Sequence, residues 1–358
     1  GVCECGCSEF IPEKAVLDTW ATSSISPLLN REIASENGIE KDEFLPMGVR
    51  TQAHEIIRTW AFYSIVRSLY HTNNIPWNEI MLSGIVYAKP GEKISKSKNN
   101  ATLSPQQLIE KCTADYIRYG TANVKLGVDT YFDEQDVVDV SRRFINKLWN
   151  SCKFVLSHLY DFDINEDIEL LPIDKWIVEK TNKTIKEAQN YLDNYEVALA
   201  RKTIDDFFWS DFCDNYIEIV KDRLYKPEIH GNENRKSAQK AIFYALFNIL
   251  KMYSIYVPHI TEYIYLKGFK DFIGEKSIHL TLWPQVKTFD NEILEFGKIF
   301  VNVVENVRKY KTQNGLSMKS EIEKIEINAP TKFEKYFKLT EKDLIACTNA
   351  LNIVYNLN

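Results

Sequence analysis

A chain of 358 residues with 45% hydrophobic and 26% charged side chains has the composition of a globular protein of two or three domains. Its net charge of -6 excludes a uniformly basic nucleic-acid binder and leaves only local basic patches for that role. No run of apolar residues is long enough to span a membrane, and the opening Gly1-Val2-Cys3-Glu4-Cys5-Gly6-Cys7 has neither the basic nor the apolar region of a signal peptide.

Cys3, Cys5 and Cys7 open the chain. A structural zinc site takes four ligands, usually as two separated pairs. No second pair follows and the nearest histidine is His54, so the cluster reads as half of a knuckle completed upstream, and zinc is left open. Cys112, Cys152, Cys213 and Cys347 fall in helical patterns, as buried thiols of a reducing cytoplasm do.

Residues 15–17 are a short apolar strand candidate. They run into the turn Asp18-Thr19-Trp20-Ala21-Thr22-Ser23-Ser24, where Trp20 is either core or the wall of an apolar ligand pocket. Residues 44–50 read as a second strand containing a turn. Apolar residues at 53, 56, 57, 60 and 61 then predict a helix over 51–66. Gln52, His54 and Glu55 sit in its first turn, where Glu55 either meets a sugar diol or simply favours the helix dipole. Residues 80–87 form an apolar strand, so strand, helix and strand make a βαβ unit with a parallel sheet.

That strand ends at Pro90-Gly91 and the loop Glu92-Lys93-Ile94-Ser95-Lys96-Ser97-Lys98. Open α/β sheets bind ligands at strand ends. Ammonium groups interleaved with hydroxyls suit a polyphosphate; the plain alternative is a solvated basic loop. Ser104 and Pro105 then cap a helix, and a further helix covers 114–124.

From residue 137 helical period dominates. Helices are expected over 144–159, from 171, over 198–224 and over 238–253, with Pro258 as a kink or stop, which makes a bundle over 140–268. Beyond 291 a helix over 293–311, a strand over 323–329, a short helix over 343–349 and a strand over 352–355 suggest a small α/β cap.

Several of these segments together resemble class I aminoacyl-tRNA synthetases. Lys93-Ile94-Ser95-Lys96-Ser97 is similar to the KMSKS signature, with Ile in the Met position. Asp18-Thr19-Trp20 resembles the valyl branch, and Ala53-His54-Glu55-Ile56 with Trp60 resembles the GHDI…W segment. Asn146-Lys147-Leu148-Trp149-Asn150 and residues 208–218 resemble the helical tRNA-binding domain. The similarity covers about residues 8–285.

The resemblance implies an α/β plus all-α fold: residues 1–125 as the C-terminal half of a Rossmann-type catalytic domain, 126–290 as a helical anticodon-binding domain and 291–358 as a small α/β subdomain. It implies a valine–tRNA ligase portion, forming valyl-adenylate and charging tRNA(Val). Lys93 and Lys96 would be catalytic. Ser95, Ser97, Gly84, Glu55 and His54 would join them on ATP, with Mg²⁺ accompanying the nucleotide. Trp20, Trp60 and Gln52 would bind valine, the indoles as flat walls. A monomeric cytoplasmic enzyme is expected. The HIGH signature and the editing domain are absent from these residues, so the isolated chain is expected to be inactive. Alternatives are a non-catalytic, synthetase-like tRNA-binding protein and a ligase for isoleucine.

Overall fold

The computed structural model describes residues 2–94, 100, 105–286 and 288–357. It divides into two compact units, Gly1–Asn100 with Lys125–Phe132, and Ala101–Val124 with Asp133–Asn358.

The first unit begins without regular structure. Residues 15–17, expected as a strand, have no regular structure and are exposed, with Val16 92% and Leu17 74% accessible. They pair with no strand among the described residues, and an apolar triplet alone cannot satisfy its backbone. Helix α1 (Thr19–Ser23) is started by the Asp18 carboxylate, which accepts from Trp20 N–H at 2.7 Å. Helices α2 (Ser26–Glu36) and α3 (Lys41–Phe44) follow.

Strand β1 (Met47–Ala53) pairs parallel with β2 (Trp77–Ser83), and helix α4 (Phe62–Thr72) crosses between them, as the βαβ reading required. The helix expected from residue 51 starts later. Thr51, Gln52 and Ala53 are taken by the ladder to Met81, Leu82 and Ser83. A 3₁₀ turn (His54–Ile56) and a π-helical segment (Ile57–Ala61) intervene before α4, through a stretch whose β-branched Ile56, Ile57 and Thr59 favour no early α-helix.

The strand expected over 80–87 is broken at Gly84. Strand β3 (Val86–Lys89) belongs to a second sheet, ordered β4-β3-β5 with β4 (Glu92–Lys93) and β5 (Thr130–Tyr131). A Cβ at Gly84 would lie 2.0 Å from the Val128 carbonyl oxygen, so this crossing admits glycine alone. The core here is small: Trp60, Ala61 and Trp77, with Trp20, Met47, Ile56 and Ile65 against them.

The second unit is helical and built on a large core. Helices α5 (Pro105–Lys111) and α6 (Ala114–Thr121) lead into α7 (Glu134–Ser157), α8 (Pro172–Asp193) and α9 (Val197–Asp206). A π-helical segment (Phe207–Tyr216) joins α9 to α10 (Ile217–Tyr225), so the helix expected over 198–224 is continuous but locally wider and underwound at its centre. After α11 (Pro227–His230), α12 (Asn232–Tyr253) buries its Ala238, Ala241, Ile242, Ala245 and Ile249 stripe completely. Pro258 neither kinks nor merely stops it: it opens α13 (Pro258–Gly268) at the first helical turn. Helix α6 holds this break. The Asp115 carboxylate accepts from Ile260 N–H at 2.7 Å, and Arg118 donates to the carbonyls of Ile255 at 2.8 Å and Tyr256 at 3.2 Å.

Helices α14 (Lys270–Ile273) and α15 (Asn291–Gln313) continue the unit, the latter capped by Asp290. Gly297 of α15 lies against the Trp176 indole of α8, where a Cβ would stand 1.9 Å from the ring. Strands β6 (Ile322–Ala329) and β7 (Ala350–Leu357) are parallel, joined through α16 (Glu334–Leu339) and α17 (Glu341–Thr348).

A buried polar cluster ties α17 to the bundle. Arg223, 1% exposed, makes two hydrogen bonds of 2.8 Å to Asp174 and an ion pair of 3.2 Å to Asp343. Tyr216 and Ser237 also donate hydroxyls to Asp174.

Candidate functional site

The site is assembled from the ends of β1 and β2 and from β4. Lys93 stands on β4 and Glu55 in the 3₁₀ turn after β1, and the Lys93 ammonium donates to the Glu55 carboxylate. Both side chains are about half exposed. The bond to Glu55, with the attraction of its charge, raises the Lys93 pKa above the ordinary lysine range. His54 is exposed beside Glu55 and has no described partner. Two residues predicted to act together are thus in contact. Ser95, Lys96 and Ser97 lie outside the described residues. So does Ser104, the expected helix cap. Asn100 binds the loop's near flank, donating its side-chain amide to the Lys93 carbonyl at 3.0 Å and to Glu92 at 2.8 Å.

The Gly84 backbone is reached from another side. Gly127 N–H donates to the Leu82 carbonyl at 3.0 Å, and the Asp129 carboxylate accepts from Ile85 N–H at 2.8 Å. Asp129 was invisible to sequence reasoning, because the acidic stretch it heads looks like a solvated connection.

Trp60 is 6% exposed and Trp20 half-buried against it. The Trp60 indole N–H donates to the Ser23 carbonyl at 3.2 Å, joining the turn after Asp18 to the π-helical segment. The Trp60 ring has neighbours of its own. The Trp77 ring stacks on it at 5.3 Å and 8°, and the Arg50 guanidinium carbon stands 3.8 Å from its ring centroid. Much of its aromatic surface is already in contact within the protein. Neither Arg50 nor Trp77 belongs to a signature, and only their alternation along the paired strands hints at them.

Gln52 is 6% exposed, and both its amide oxygen and nitrogen lack hydrogen-bond partners. Buried amides are nearly always satisfied, and an unsatisfied one costs free energy in the absence of a ligand or water. Arg50, two residues earlier on the same side of β1, meets no carboxylate among the described residues, and burial lowers its pKa.

For a metal, no group of three or more His, Cys, Asp or Glu side chains among the described residues is arranged as a ligand set. Cys3, Cys5 and Cys7 are exposed, and the turn Cys3–Cys7 is closed by backbone bonds, Cys3 N–H to the Cys7 carbonyl at 2.8 Å. No described helix is long and apolar enough to cross a membrane.

The helical unit offers a separate cleft of about 640 Å³ between α10, α15 and α17. Lys221, Lys226, Arg308 and Lys319 line it with Tyr225, and so do Glu218 and Asp222, which pair with Lys221 at 3.1 Å and Lys226 at 2.6 Å.

Residues 4–133 match the family model for tRNA synthetases class I (I, L, M and V), and residues 174–327 match the anticodon-binding domain of tRNA ligase. The chain is 42% identical over 347 residues to the valine–tRNA ligase of Ehrlichia ruminantium (strain Gardel), covering 95% of this chain and 41% of the relative. It is 37% identical over 360 residues to that of Wolbachia sp. subsp. Brugia malayi, covering 98% and 41%. It is 37% identical over 355 residues to that of Pyrococcus horikoshii, covering 96% and 39%. The chain therefore spans about two fifths of the length of these relatives. Among solved structures, an Agrobacterium radiobacter K84 LeuRS in a ternary complex with tRNA and LeuAMS matches with a TM-score of 0.61 at 17% identity, over 82% of this chain and 35% of that one. Ordered signatures, the paired Lys93 and Glu55, and relatives that match almost the whole of the sequence converge: the chain belongs to the class I aminoacyl-tRNA synthetases.

Proposed function

We propose that this chain supplies the lysine-loop half of the ATP and valine site, and the tRNA-binding helices, of a valine–tRNA ligase. The observation that carries the reading is the meeting of Lys93 with Glu55 beside the Trp20–Trp60 cluster. An exposed ammonium held by one exchangeable carboxylate is suited to a polyphosphate, and a carboxylate at a strand end to a ribose diol. ATP supplies the α-phosphate that the amino-acid carboxylate attacks. Lys93 and Lys96 stabilise the charge that develops on the departing pyrophosphate, His54 and Glu55 orient the nucleoside, and Gly84 lets it approach the backbone. Mg²⁺ would accompany the nucleotide and help neutralise its phosphates.

Valine is taken by Trp20 and Trp60 through apolar burial, with the free amide of Gln52 available to its polar end. Acceptance of tRNA(Val) falls to the helical unit, where Arg308 and Lys319, with Lys221 and Lys226 shared with Glu218 and Asp222, can meet a phosphate backbone. Activity belongs to a longer polypeptide in this reading. Val49 and Ile80 of the β1–β2 pair are 41% and 37% exposed, whereas parallel sheets are ordinarily covered on both faces.

The test is valine-dependent ATP–pyrophosphate exchange by the intact enzyme, with Lys96→Ala beside the wild type. A fall of about a hundredfold supports the loop's role. Unchanged exchange removes it, and tRNA binding with no exchange by the wild type would favour a non-catalytic RNA-binding protein.

A further inference from the structure

Arg50 belongs to no signature, yet its guanidinium lies over the Trp60 ring of the candidate site. It is half-buried, meets no carboxylate among the described residues, and its Nε is buried without a hydrogen-bond partner. Burial of an unpaired guanidinium is unfavourable unless another contact compensates. Here that contact is the ring of Trp60, 3.8 Å away, a distance at which a desolvated cation and an indole attract strongly.

Trp60 has three fixed points. Its N–H is held by the Ser23 carbonyl at 3.2 Å, its ring is stacked by Trp77 at 5.3 Å, and the Arg50 cation lies over it. Its backbone sits in the five-residue π-helical segment, where side-chain direction is set less by regular helix geometry than in an α-helix. The contacts, rather than the helix, determine which part of the indole is presented.

We propose that Arg50 is a positioning residue that clamps the Trp60 indole and so sets the size of the aliphatic side chain the pocket accepts. The proposal rests on the reading of Trp60 as a wall of the amino-acid pocket. Arg50 does not touch the substrate. Without its charge, the indole keeps the Ser23 and Trp77 contacts but gains freedom to tilt, and the pocket admits one more methylene. Discrimination of a single methylene is modest in any rigid apolar pocket, so a small loosening of one wall is enough to erode it.

The experiment compares wild type, Arg50→Met and Arg50→Lys in the intact enzyme, by ATP–pyrophosphate exchange with valine and with isoleucine. Methionine keeps the chain's bulk and removes the cation. Arg50→Met is expected to raise KM for valine about tenfold, with kcat within about twofold, and to lower the valine-over-isoleucine preference by a similar factor. Arg50→Lys, which keeps a cation, is expected to lie between the two; it carries the test if Arg50→Met does not fold. Wild-type KM and preference in a folded variant, beside an active wild type, would overturn the role of Arg50 alone. An absence of valine-dependent exchange in the wild type would instead overturn the pocket reading beneath it.

Discussion

The ammonium of Lys93 is bonded to the carboxylate of Glu55, 38 residues earlier in the chain. Each group is thereby held at the edge of the site by a partner that a nucleotide would displace. Lys93→Ala in the intact enzyme should lower the rate of ATP–pyrophosphate exchange by roughly ten- to a hundredfold. The thermal midpoint should stay at its wild-type value, because exposed ion pairs add little to stability. A lowered midpoint with normal exchange would make the pair structural.

The Asp174 carboxylate receives Arg223, Tyr216 and Ser237 in a site that excludes water. Asp174→Ala removes two hydrogen bonds from a buried guanidinium, which keeps Asp343 and the Asn234 carbonyl, and leaves two buried hydroxyls without their acceptor. Urea unfolding of the chain should show a loss of roughly 3–5 kcal/mol, the range found when one partner of a buried pair is removed.

Asp343 faces the same guanidinium from α17, but its ion pair lies outside hydrogen-bond alignment. Burial raises its pKa to about 6, against the lowering pull of Arg223. The folded state therefore holds this proton more tightly than the unfolded state. The group favours folding most below pH about 4, and that contribution disappears as the pH rises through about 6. Between those limits the wild type should lose of order 2 kcal/mol relative to Asp343→Asn, read as the difference of their denaturation midpoints against pH. Parallel curves would refute the assignment.

Gly297 allows α15 to lie directly on Trp176. Gly297→Ala gains helix propensity but places a methyl group inside the indole's volume. The net effect should be a destabilisation of about 1–3 kcal/mol, since overpacking outweighs the propensity gain of about 1 kcal/mol. A stabilised variant, by thermal or urea denaturation, would show that the two helices can part without penalty.

The helical unit was largely legible from the sequence because its signal is periodic: the buried stripe of α12 can be read directly from residues 238–249. In the candidate site the signatures picked out Glu55 and Lys93, which the fold brings into contact. Three errors share a cause. Residues 15–17, 51–61 and 80–87 all have apolar composition, but their backbone is decided by neighbours distant in sequence: an absent strand partner, the β2 ladder and the Val128 carbonyl. Arg50 and Asp129 were missed because a cation–π contact and a side-chain bond to Ile85 N–H leave no pattern in composition or spacing.

The grip of α6 on the break between α12 and α13 has a bearing on how the chain is made. Arg118 reaches a carbonyl 138 residues ahead of it, and Asp115 an amide 145 residues ahead. During synthesis α6 emerges well before either target, so its cation and carboxylate must wait in solvent while most of the bundle is still being translated. Contacts of such long range close late and slowly. The α12–α13 junction is thus a place where folding of the helical unit becomes conditional on a segment that the ribosome released long before.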